Sequence, residues 1–75
     1  MSAPYAAVHP RAWVGHNSVR LVVDCRVCRG PAIVRDPAEA AISGKGWVDC
    51  ECGQHFYCDS GGEFTRLWRR HAIRA

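Results

Sequence analysis

The chain has 75 residues, of which 48% are hydrophobic and 23% charged, and it carries a formal net charge of +3. That length holds one small domain. It contains no run approaching the roughly 20 apolar residues of a membrane span, and the mild charge excludes a strongly basic stripe around the whole molecule. A core this small supplies only a few kcal/mol beyond its ordering entropy, so a staple is expected. Five cysteines are available for one. Their odd number, the lack of an apolar leader after Met1, and the one-residue gap between Cys50 and Cys52 all weigh against disulfides. Clustered thiols in a reduced, cytoplasmic chain point instead to a metal.

Residues 1–17 read as a flexible N-terminal arm, Ala- and Pro-rich at first, with Trp13 and Val14 tacking its end onto the body. The domain proper is expected over 18–75. SVRLVVD reads as a strand running into Cys25. CRVCRG then makes a turn, and AIVR returns as the second strand of a hairpin. DPAEAAISGKG carries helix punctuation, with Asp36 as N-cap, Pro37 in the first turn and Gly44 as the stop. WVDC and GQHFYCD form a second hairpin around the remaining cysteines. In SGGEFTRLWRRHAIRA, Phe64, Leu67, Trp68 and His71 recur at i, i+3, i+4 and i+7, the apolar stripe of a helix. Ser60 and Glu63 have capping-box spacing, although the two glycines between them push the cap later. Trp13, Trp47 and Trp68 are expected to fill the core.

The cysteines fall in two turns. Cys25 and Cys28 form a CxxC pair followed closely by a glycine. In the second turn Cys50, Cys52, His55 and Cys58 compete for two places in a tetrahedral site. Gly53 nominates Cys52, because the residue after the closing cysteine of a metal knuckle adopts positive φ. Its partner is then Cys50 or His55. Strand alternation sets Cys58 on the same side as Phe56, as a small buried hydrophobe.

The string CECGQHF resembles the CxCGxxF segment of the CSL-type zinc finger, with the order of the CxC and CxxC elements reversed. That resemblance implies Cys25, Cys28, Cys50 and Cys52 as ligands of one ion, with His55 and Cys58 outside the set. The wider alternation of strands and knuckles is similar to zinc ribbons generally. The expected fold is therefore small α+β: a zinc ribbon of two β-hairpins with metal knuckles, plus a C-terminal amphipathic helix.

Four thiolates around one zinc leave no open position for substrate, and so short a chain has little room for a small-molecule pocket. A non-enzymatic binding module is expected. Arg66, Arg69, Arg70 and Arg74 on the outer side of the last helix, with Lys45, are the candidate contacts to nucleic acid or a partner. The same arginines also suit an ordinary solvated helix face. The expected partners are nucleic acid or a larger assembly such as RNA polymerase. A protein–protein adaptor or structural component of a bacterial or phage assembly is the alternative, and a rubredoxin-like iron carrier a third reading, iron being less favoured than zinc.

Overall fold

A computed structural model of the chain describes residues 9–72. In it five strands form one antiparallel sheet whose spatial order follows the chain: β1 (Arg11–Val14), β2 (Val19–Asp24), β3 (Pro31–Val34), β4 (Lys45–Cys50) and β5 (His55–Asp59). Helices α1 (Pro37–Ser43) and α2 (Glu63–His71) follow β3 and β5. The molecule is thus small α+β. The two expected hairpins, β2–β3 and β4–β5, are present and are fused side by side by pairing of β3 with β4, with Ala32 opposite Cys50 and Val34 opposite Val48.

Part of the segment expected as a flexible arm, 1–17, is a strand, β1. Arg11–Val14 pairs with β2 from Arg11 opposite Val22 to Val14 opposite Val19, and the Arg11 guanidinium donates to Asp24 at 3.0 Å. Only four residues long, with one small apolar side chain to bury, this edge strand takes its order from β2 rather than from its own pattern. Residues 1–8 lie outside the described residues.

Period-2 alternation assigns the two faces of the sheet. One face presents Leu21, Val23, Ala32, Val34, Val48, Cys50 and Cys58 to Ala40 of α1 and to Phe64 and Leu67 of α2, and this cluster is the core. The stripe expected on the last helix is the one that packs, since Phe64 and Leu67 are buried and Trp68 and His71 half-buried. The opposite face has no helix over it. Trp13 and Trp47 lie there, 45% and 47% exposed, Trp47 beside Tyr57. The expectation that all three tryptophans fill the core thus holds only for Trp68, because both helices cover the same face and the alternate residues of β1 and β4 have no layer to pack against.

The punctuation of α1 is as read: the Asp36 carboxylate accepts from the Glu39 N–H, and Gly44 ends the helix at φ 81°. The start of α2 is more unusual. Gly62 at φ 99° occupies the N-cap position without a side-chain bond, and Ser60 reaches across both glycines to accept from the Phe64 N–H at 3.1 Å. The same hydroxyl donates to the Gly44 carbonyl at 2.6 Å, which locks the end of α1 to the beginning of α2.

Candidate metal centre

Antiparallel order puts the β2–β3 and β4–β5 turns at the same end of the sheet, separated by one strand-to-strand step on either side of the β3–β4 pair. Cys25 and Cys50 leave their strands on the core face and are almost fully buried, whereas Cys28 and Cys52 ride the turns and are exposed. The turns are knuckles by backbone geometry. In the first, the Cys25 N–H donates to the Gly30 carbonyl at 2.8 Å, and Arg29 bonds back to Cys25 at 3.1 Å. In the second, the Cys50 N–H donates to the Gln54 carbonyl at 2.9 Å, and Gly53 bonds back to Cys50 at 3.0 Å. The residue after each closing cysteine has positive φ, 65° at Arg29 and 95° at Gly53. Gly30 follows the first knuckle and turns its amide toward a sulfur. It carries no positive φ, but a Cβ there would stand 3.3 Å from the Cys28 sulfur, toward which its own N–H points at 3.4 Å.

The four sulfur atoms of Cys25, Cys28, Cys50 and Cys52 all lie within 4.8 Å of one another, a group that can hold a metal ion. Cys25 and Cys52 approach to 3.7 Å and Cys28 and Cys50 to 3.3 Å. A tetrahedral ion with metal–sulfur bonds of about 2.3 Å sets sulfurs about 3.8 Å apart. A disulfide would need about 2.05 Å, and all five cysteines are free thiols. Among the described residues neither His55 nor Cys58 belongs to the group. His55 opens β5 on the uncovered face, opposite Asp49 and 6.4 Å from the Trp47 ring. Cys58 is fully buried in the core.

Electrostatics prepare the group for a cation. Amide donors, first that of Cys28 and then that of Val27, pull the Cys25 thiol down to about 6 against the opposing effect of burial. At Cys50 the Cys52 amide pulls in the same direction, but the neighbouring Cys28 thiol, burial, and the Cys52 and Cys25 thiols outweigh it and push the group up to about 12. The Cys25 thiolate therefore forms readily while the Cys50 thiol is held protonated, as two ionisable groups crowded at one site oppose each other's charge. A divalent cation removes that conflict by bonding to all four.

No family model, curated protein or solved structure matches the chain. The CSL-type likeness accordingly stays a likeness of a few residues around Cys50 and Cys52, and the site stands on its own geometry.

The predicted contact residues are more scattered. Arg69 and Arg70 are exposed on the outer side of α2 and make no ion pair among the described residues, whereas Arg66 is held by Glu63 through bonds of 2.6 and 3.2 Å. Lys45 follows Gly44 and so stands at the opposite end of α2, beside its first turn. Arg74 lies outside the described residues. The uncovered face holds a group not anticipated as exposed surface: Trp47 edge-on to Tyr57 at 5.5 Å, with Arg35 5.9 Å from the Trp47 ring and tied to Asp49 by bonds of 2.9 and 2.7 Å. The signal for it was in the sequence, since Trp47 and Tyr57 alternate with Val48 and Phe56, and two short helices cover one face of a sheet, not both.

Proposed function

We propose that the chain is a zinc-stapled, non-enzymatic binding module of zinc-ribbon type that contacts nucleic acid, alone or as part of a transcription assembly. The convergence of four cysteine sulfurs from two knuckles carries this reading. Zinc suits it best because four thiolates in a tetrahedron form the closed structural shell typical of that ion. With the shell filled, no coordination position remains for a substrate, so the output of the domain is contact. The positive net charge and the exposed Arg69 and Arg70, which make no ion pair among the described residues, support a polyanionic partner. A protein-adaptor reading draws on one different observation, the exposed Trp47–Tyr57–Arg35 group, whose residue types recur at interface hot spots.

Protein purified under reducing conditions should contain one zinc per chain and be colourless; visible absorption would identify iron and an electron carrier. Single Cys→Ser changes at 25, 28, 50 or 52 should each abolish stoichiometric zinc, while His55→Ala and Cys58→Ala should retain it. Full zinc in Cys50→Ser would overturn the ligand set. Binding of labelled oligonucleotides that weakens as salt is raised checks the contact.

A further inference from the structure

Both non-glycine residues held at positive φ among the described residues line one cavity. They are His9, at φ 49°, and Arg29, at φ 65°. The cavity, of about 480 Å³, lies between the entry to β1 and the first knuckle, with Asp24, Cys25 and Arg26 as its other described walls. Residues larger than glycine are disfavoured in that conformation, and where they are kept there the cause is often functional. The second knuckle has glycine at the corresponding position, Gly53 at φ 95°, which shows what the turn alone asks for. Arg29 is exposed and makes no ion pair among the described residues. The single acid of the lining, Asp24, is already met by Arg11, whose guanidinium donates at 3.0 Å both to that carboxylate and to the His9 carbonyl. One side chain thus offsets the negative charge and ties the His9 backbone to the cavity wall. Arg29, with Arg26 beside it, leaves the cavity electropositive. Compensation of metal-bound thiolates accounts for a cation on the knuckle. It does not require one at the strained position, since Arg26 supplies a cation on the same turn without positive φ.

We infer that this cavity binds a backbone phosphate of a polynucleotide, with the Arg29 guanidinium on its oxygens, His9 supplying a further donor and Arg26 adding charge. The site deepens the nucleic-acid reading above, on which it rests for the source of the phosphate, by adding a contact on the first knuckle to those on α2. Phosphate is the fitting occupant because the planar fork of a guanidinium matches paired phosphate oxygens. A cavity of this volume also admits the sugar to which the group is esterified. Inorganic phosphate and a mononucleotide share that chemistry, and separate probes distinguish them from the polymer.

The test uses the zinc-loaded full chain, with zinc content and thermal melting as controls for folding. A labelled 15-nucleotide oligothymidylate is read by fluorescence anisotropy at low salt, and inorganic phosphate and thymidine monophosphate by amide chemical shifts. Arg29→Gly is the decisive variant, because glycine adopts the left-handed conformation freely. It should keep its zinc and melt no lower than the unchanged protein. It should nevertheless bind the oligonucleotide about tenfold more weakly, with a log–log salt slope smaller by about 0.7. Arg29→Lys should keep that slope, and His9→Ala should lose about threefold in affinity. Phosphate and the mononucleotide should shift the amides of 26–30 in the unchanged protein and not in Arg29→Gly. Undiminished oligonucleotide binding by Arg29→Gly overturns the site while leaving the nucleic-acid reading in place. Loss of zinc by that variant does the same, assigning Arg29 to the charge of the metal centre. Shifts with phosphate or the mononucleotide in a protein that does not bind the oligonucleotide restrict the site to free phosphates and remove the nucleic-acid reading. Absence of both shifts and oligonucleotide binding removes the two together.

Discussion

Five thiols of one chain divide into two chemistries by where the backbone leaves them. Cys25 and Cys50 end strands on the core face and turn their sulfurs toward Cys28 and Cys52, with amides directed at the first of each pair. Cys58 sits mid-strand, opposite Gly46, with nothing but apolar neighbours in the core cluster. Burial pushes its thiol up to about 11 from an ordinary value of 9.0, so at neutral pH it is a small protonated hydrophobe. Cys58→Ser places a hydroxyl where the core offers no partner and should cost about 1–3 kcal/mol in thermal or urea melts, with zinc per chain unchanged. The raised value also predicts a pH effect with a definite sign. Above pH 9 the unfolded chain loses this proton while the folded one keeps it, so stability should decline as pH rises from 9 toward 11. Cys58→Ala should remove that share of the decline, which melts of the two proteins across this range would measure.

Among the elements, the helices meet through Ala40 against Phe64 and Leu67 and through the Thr65 hydroxyl donating to the Ala41 carbonyl, and one further side chain ties their ends. The Ser60 hydroxyl donates to the Gly44 carbonyl and accepts from the Phe64 N–H, joining the αL end of α1 to a helix start that its own cap glycine cannot satisfy. Ser60→Ala leaves the Phe64 N–H without its acceptor and should cost about 1–2 kcal/mol, read by chemical denaturation, while zinc binding at the far end of the sheet persists. This spacing of Ser60 and Glu63 was legible in the sequence as a helix signal, and so were α1 with its Asp36 and Gly44 bounds, the apolar stripe of α2 and both knuckles. Those features are local: a cap, a period, a turn. What the sequence did not disclose was non-local. β1 has too few residues to announce a strand and exists because β2 offers it a partner. Trp13 and Trp47 are large and apolar in composition, and only the side on which α1 and α2 settle decides that they face solvent. For the metal site, the choice between Cys50 and His55 became clear once β5 turned His55 to the face away from the sulfurs.

At the scale of the whole molecule the core and the cysteine group are continuous, since Cys25 and Cys50 belong to the same buried cluster as Leu21, Val48 and Phe64. The helices close that cluster toward the β4 and β5 ends bearing Gly46 and Cys58, where Ala40 lies against Gly46. At the other end no helix covers the strand tips among the described residues, and the knuckles that join them are two short turns with two exposed cysteines. Without a cation, four unbridged thiols contribute little there. With one, structural zinc supplies on the order of 10 to 16 kcal/mol of apparent binding energy in small domains, more than a core of this size contributes alone. Chelation under reducing conditions should therefore do more than empty a site. The knuckle amides at 25–30 and 50–54 should exchange fastest, the sheet should lose its register from that end, and the cooperative melt and near-ultraviolet circular dichroism should disappear, both returning on addition of zinc. Acidification should mimic chelation, because each proton bound by a sulfur displaces a bond to the ion. A sharp thermal transition in the exhaustively chelated protein, at the same temperature as the zinc-loaded form, would mean that the sheet and its two helices stand without the metal.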